Sequence, residues 1–212
     1  MQAVVYDLEL VKRFRKGQLS EIVEIGACKV DLATKTITDD FQVYILPKSG
    51  HVSKSTRKFI KMTEADVQSA VPFEEGVKRF ASWLGTDYYL CSWGRDDRLH
   101  MVNQCVRTKI PLDWFVNYND VQQQISRLMN DKLKQQLGLK DALDIAGIVP
   151  TGQAHRGIDD AINTAELLIR FSDKLTLQKN EITKKEIEAE YLKYKRSRML
   201  HKRAQAGASP AP

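Results

Sequence analysis

Three strand-forming runs open this chain with no helical segment between them, and that order restricts the fold more than any other feature. Residues 3–10 read as a buried strand. Residues 21–30 (Ile22, Val23, Ile25, Ala27, Cys28, Val30) form a second, reached through a basic, glycine-containing connection at 12–17, and residues 41–46 form a third that stops at Pro47. Successive strands with short connections imply an antiparallel meander. Helical signals follow: Thr63 with Asp66 has the spacing of a capping box, and Phe73, Val77, Phe80, Ala81 and Leu84 recur on one helical face. A fourth strand is expected at 88–93. A helix at 97–107 with Leu99, Val102 and Val106 on one side comes next, then a fifth short strand at 114–118 and helices at 120–137 and 139–146. A final helix after His155 is expected to bury Ile158, Ile162, Ala165 and Ile169. The expectation is an α/β domain with a central mixed five-stranded sheet, strands one to three antiparallel, flanked by helices.

A chain of 212 residues, 42% of them hydrophobic, is long enough for one sizeable core plus an extension. The domain is expected at 1–173. From Lys174 to Arg203 there are ten Lys or Arg against four Glu, which accounts for the whole net charge of +6 and leaves the rest of the chain neutral. Residues 181–206 are rich in helix formers and read as an extended basic helix within an extension at 174–206; residues 207–212 have the composition of a disordered tail. An excess of cations there would attract a polyanion. There is no apolar run long enough to span a bilayer and no signal-peptide pattern at the N-terminus, so a soluble, cytoplasmic protein with no membrane partner is expected. Cys28, Cys91 and Cys105 are odd in number and widely spaced, which points to reduced, buried thiols.

Side chains two apart on a strand share a face, so Asp7 and Glu9 point one way while Tyr6, Leu8 and Leu10 point the other. Two adjacent carboxylates repel unless a cation lies between them, and a hard divalent cation takes oxygen ligands. Asp96 and Asp97 follow directly on the fourth strand, where an α/β sheet presents functional groups, although either could instead cap the next helix. His155 stands five residues before Asp160. On one continuous helix that step turns by about 140°, so both serve a single site only if His155 lies in the loop before the helix, which Gly157 permits.

Taken together, the Asp-x-Glu pair on the first strand, Trp93-Gly94-x-x-Asp97, and His155 to Ala165 (His-Arg-Gly-Ile-Asp-Asp-Ala-Ile-Asn-Thr-Ala), with Glu21 to Ala27 on the second strand, resemble the DEDDh exonucleases. These belong to the DnaQ-like or RNase-T-like superfamily, and the resemblance, over residues 4–171, is strongest to the branch containing KapD and the enhanced-RNAi exonuclease. It implies an RNase H-like fold and a 3′-to-5′ exonuclease releasing nucleoside 5′-monophosphates. It further implies two Mg²⁺ ions, with Mn²⁺ able to substitute, held by Asp7, Glu9, Asp97 and Asp160, and His155 as general base. The motif spacing selects Asp97 over Asp96 and Asp160 over Asp159, leaving Asp159 to support the helix N-terminus.

The implied partner is a nucleic acid with a free 3′ end, single-stranded, with RNA ahead of DNA by family analogy. Leu8, Leu10 and Trp93 are the candidate substrate contacts, with Phe14 a further possible stacking residue. Many relatives carry Thr or a bulky aromatic just after the Asp-x-Glu pair where this chain has Leu10-Val11, which bears on the terminal-nucleotide contact and not on the metal site. The basic helix could add phosphate contacts, or pack through Ile187, Tyr191 and Tyr194. Two other readings use the same residues: a binding module without hydrolysis, and a different metal-dependent phosphodiesterase or phosphatase.

Overall fold

The structure, a computed structural model, describes residues 2–11, 20–130 and 135–206. Phe14, with the rest of the 12–17 connection, and the 207–212 tail lie outside the described residues. A mixed six-stranded sheet forms the centre, in the order β4-β3-β2-β1-β5-β6. Strands β1 (Gln2–Leu10), β2 (Ile22–Asp31) and β3 (Thr36–Leu46) make the antiparallel meander. β5 (Tyr88–Ser92) lies parallel to β1, β6 (Tyr118–Asp120) parallel to β5, and the two-residue β4 (Val71–Pro72) parallel to the end of β3.

Alternation along β1 divides the core. Val4, Tyr6 and Leu8 enter one cluster with Phe80 and Leu84 of α3 (Phe73–Leu84) and Met101 and Cys105 of α4 (Asp96–Thr108). Ala3 and Val5 face the other side, packing with residues of α5 (Val121–Met129), α6 (Leu139–Ala146) and α7 (Gly157–Phe171). Asp7 and Glu9 continue this second face towards the C-terminal end of β1, so they emerge where α7 begins.

α7 approaches closely because its buried stripe is small. Gly157, Ala161 and Ala165, one helical turn apart, face the sheet, whereas Ile158, Ile162 and Ile169 are only half-buried. The expected face is therefore displaced in part: Ala165 is buried as expected, but Ile158, Ile162 and Ile169 are not. Leu99 is a similar correction. It is 43% exposed while Met101, Val102, Cys105 and Val106 bury the inner face of α4.

Other departures have local causes. β3 begins at Thr36 because pairing with β2 continues through Asp39 and Asp40, polar residues that leave no hydrophobic alternation to read. α1 (Lys54–Phe59), a single polar turn and a half, precedes the expected α2 (Glu64–Ser69), whose Thr63 and Asp66 do form a reciprocal capping box. The fifth expected strand lies a few residues later, at β6, and the helix expected over 120–137 stops at Met129, with 131–134 outside the described residues.

Residues 175–180 form an extended strap whose backbone is bonded by side-chain amides of Asn119 and Gln124, while Asn180 returns the bond to Tyr118. Only after it does α8 (Lys184–Ala206) start. Cys28, Cys91 and Cys105 are free and buried, and no helix of the described residues is long and apolar enough to cross a membrane.

Candidate active site

Three backbone elements converge at the C-terminal end of β1. β1 itself supplies Asp7 and Glu9. After β5 the chain turns through Gly94 (φ +95°) into α4, whose first turn presents Asp97; its Oδ1 accepts the backbone N–H of Leu8 at 3.3 Å. α7 supplies the third side. Gly26 of β2 and Gly157 touch so closely that a Cβ at Gly26 would stand 2.0 Å from the Ile158 nitrogen. That contact seats the start of α7 against the sheet and with it Asp160.

His155 lies in the loop before α7, as a shared site requires. Its backbone is left-handed (φ +64°), a costly conformation for a residue with a Cβ, and its N–H donates to Asp160 Oδ2 at 2.9 Å. Neighbouring bonds brace this loop: Gln153 N–H donates to Asp159 Oδ2 at 2.8 Å, and Lys61 Nζ donates to the Ala154 carbonyl at 3.1 Å. The imidazole stacks on Phe59, ring centroids 4.5 Å apart. Glu9, His155 and Asp160 each offer a ligand atom within 4.8 Å of the others. Asp7 and Asp97 are not part of that triad, but Asp97 acts on Glu9, and Asp7 in turn feels the charges of Glu9 and Asp160.

The electrostatics are one-sided. Glu9 is pushed up to about 8, first by burial and then by the charges of Glu24, Asp160 and Asp97. Burial likewise lifts Asp97 to about 7, against the pull of the Leu8 N–H. Asp7 is held well above the usual carboxylate range by burial and by Asp97, Glu9, Asp160 and Glu24, and burial raises Asp160 despite the His155 N–H. None of the ion pairs among the described residues involves any of these four acids. Clustered oxygen donors with uncompensated charge are the donor set for a hard divalent cation.

Sequence reasoning missed Glu24, the register partner of Glu9 and wholly buried. Its Oε1 accepts Gln42 Nε2 at 2.7 Å and the Ile158 N–H at 3.3 Å, closing the N-terminus of α7, while Oε2 is buried without a partner. The only sequence signal was an acid at an otherwise apolar strand position. Phe59 carried none. Of the candidate substrate contacts, Leu8 has its side chain buried in the core and only its backbone facing Asp97. The Trp93 indole packs against the second core cluster and donates to the Leu137 carbonyl at 3.2 Å, and Leu10 is half-buried beside the first cluster.

A protein-family model described as an exonuclease, RNase T, matches residues 4–168, most of the chain and all five residues of this corner. The chain belongs to the RNase T exonuclease family. It is 26% identical over 175 residues to rat (Rattus norvegicus) 3′-5′ exoribonuclease 1, covering 77% of this chain and 50% of that protein. It is also 27% identical over 158 residues to the PolC-type DNA polymerase III of Thermotoga maritima, covering 74% and 11%. The chain thus spans half or less of the length of these relatives.

Among solved structures, the nuclease domain of 3′hExo, a DEDDh family member bound to rAMP, shares the fold with a TM-score of 0.75 at 22% identity, covering 86% of this chain and 97% of that one. Cell-death related nuclease 4 follows at a TM-score of 0.71 and 18% identity, covering 81% and 64%. These likenesses establish an RNase H-like exonuclease fold, and membership in an exonuclease family of this kind implies divalent metal ions.

Proposed function

We propose that this chain is a 3′-to-5′ exonuclease that removes nucleoside 5′-monophosphates from single-stranded nucleic acid, RNA ahead of DNA. The observation that carries this reading is the convergence of Asp7, Glu9, Asp97, Asp160 and His155, from β1, α4, α7 and the loop before α7, on one corner of the sheet. The preference for RNA rests on relatives named as exoribonucleases, while the DNA polymerase relative keeps DNA as a second substrate.

Asp7, Glu9, Asp97 and Asp160 would hold two Mg²⁺ ions, for which Mn²⁺ can substitute. When bound, such a pair lowers the pKa of an attacking water and offsets charge on the leaving 3′ oxygen. His155 takes the proton of that water. Its ring is kept from rotating away by Phe59 on one face, and its backbone is fixed by Asp160, so base and carboxylate move together. The Leu8 N–H holds one oxygen of Asp97 and so orients that carboxylate. Leu10, half-buried beside the first cluster, offers apolar surface to the terminal base. No protein side chain need bond covalently to the substrate.

A time course on 5′-labelled RNA and DNA of one sequence, with Mg²⁺, Mn²⁺ or EDTA, tests this. Stepwise shortening from the 3′ end, abolished by EDTA, by Asp7→Ala and by His155→Ala, is expected, with RNA cleaved faster. Binding without shortening in either metal would instead make the chain a non-catalytic binding module. Shortening that persists when the 3′ hydroxyl is blocked would point to a different phosphodiesterase.

A further inference from the structure

The extension after the domain is docked through acids at its start, and beyond them its bases gather. Thr183 and Glu186 cap the start of α8 reciprocally, with Thr183 N–H donating to Glu186 Oε2 at 2.9 Å and Glu186 N–H to Thr183 Oγ1 at 3.2 Å. Arg98 of α4 pairs with Glu186 at 2.7 Å, Asn103 donates to Glu190 at 3.4 Å, and Ile182 and Ile187 pack on the core. Because Arg98 meets Glu186 and Asn103 meets Glu190, the two helices run side by side in the same direction. The half-buried stripe continues to Tyr194.

Beyond Glu190 the sequence has no acid at all, but it has Lys193, Lys195, Arg196, Arg198, Lys202 and Arg203. Lys193 reaches back to Glu190 at 2.5 Å and Lys195 lies over the Tyr191 ring at 4.6 Å, while Arg196 faces no acid among the described residues. Like charges three residues apart, as in Lys193 with Arg196, weaken a helix. A solvated face gains nothing by excluding acids, whereas a bound polyanion relieves that repulsion. In the register set by Glu186 and Glu190, Lys195 comes level with the C-terminal end of α4, about 16 Å along that helix from Asp97.

We propose that the C-terminal half of α8, through Lys193, Lys195 and Arg196, is a phosphate-binding arm that holds the substrate strand upstream of its 3′ end. The identity of the polyanion rests on the exonuclease reading above. The interleaved Tyr191 and Leu192, 40% and 60% exposed, give that strand apolar surface beside the charges.

The test is fluorescence anisotropy of a long single-stranded RNA in EDTA, comparing the full chain with the triple variant Lys193→Gln, Lys195→Gln, Arg196→Gln. Kd should rise about tenfold, and the slope of log K against log salt should become less negative by about 2, the loss of three single-strand phosphate contacts. The charge-preserving pair Lys193→Arg, Lys195→Arg should bind as the parent does. Unchanged affinity and slope in the triple variant would overturn the arm, and capture of an acidic protein alone by this face would do the same. Hydrolysis of a dinucleotide in Mg²⁺, too short to reach the arm, is scored separately. Its absence in the parent sinks the exonuclease reading, whereas the anisotropy alone decides the arm.

Discussion

Gly26→Ala is the sharpest single perturbation of the site, although Gly26 itself touches no substrate. A Cβ there would lie 2.0 Å from the Ile158 nitrogen, 2.1 Å from the Gly157 carbonyl carbon and 2.5 Å from the Ile158 Cα, all backbone atoms that no rotamer change can move. Non-bonded heavy atoms settle at about 3.5 Å, so α7 must lift by about 1.5 Å at its N-terminus. Overpacking of this kind costs about 1–3 kcal/mol. For a domain of this size each kcal/mol lowers Tm by about 2–4 °C. The functional loss should be larger, because Asp160 and the loop bearing His155 travel with that end of the helix while Asp7 and Glu9 stay on β1. A misplacement of about 1 Å costs on the order of 100-fold in rate. The assay is 3′-end shortening of labelled RNA at saturating Mg²⁺, alongside thermal melts. Gly138→Ala is the control, since its φ is −62° and a Cβ there meets Asp141 at an ordinary 3.6 Å. A Gly26→Ala protein with lowered Tm but parental rate would refute the argument that this contact positions the site.

Three further outcomes follow from the same corner. Glu24→Ala removes the acceptor that closes α7 and should cost about 1–3 kcal/mol in chemical denaturation, with Glu24→Gln milder because the amide oxygen can still accept from Ile158; equal effects of the two would count against capping. In the metal-free protein Glu9 (about 8) and Asp97 (about 7) bind protons more tightly folded than unfolded. Stability should therefore fall as pH rises from 5 to 8, and saturating Mg²⁺ should remove the fall. Melts in EDTA and in Mg²⁺ across that range check this, and a flat EDTA profile would contradict the shared burial of the acids. Phe59→Ala deletes the surface on which His155 stacks while removing a ring that is 44% exposed; kcat should drop about tenfold with Tm nearly unchanged, and an unaltered kcat would show that the stack does not hold the base.

The parts of this site that sequence reveals are those written in local periodicity. Asp7 and Glu9 sit two apart on a strand, so their common face follows from the pleat alone. Asp97 follows a buried strand directly, and the five-residue step from His155 to Asp160 excludes one continuous helix, as the left-handed His155 backbone confirms. What sequence hides is non-local. The importance of Gly26 depends on an atom of Ile158, 132 residues away in the chain. Phe59 meets His155 only because a short polar helix, without an apolar stripe to announce it, crosses the edge of the site. The register of β3 at Asp39 and Asp40 was hidden for a related reason, since exposed polar strands carry no alternation.

The displaced face of α7 shows how such a site is built. A helix presenting Ile158, Ile162 and Ile169 to the sheet would bury more apolar area, but those side chains would hold its axis away from β1 and β2. Packing instead through Gly157, Ala161 and Ala165 gives up that burial and brings backbone to backbone at Gly26. The exchange leaves the half-buried Ile162 and Ile169 packed against the second cluster. It also brings Asp160, on the first turn, into reach of Glu9, which a larger interface would have prevented. The four acids then share a corner where burial raises every one of them and the charges of neighbouring acids add to the rise at Asp7, Glu9 and Asp97. Affinity for cations is thus set by how closely α7 can approach the sheet, and substitutions that enlarge Gly26 or Gly157 should weaken Mg²⁺ binding even where they leave all four ligands in place.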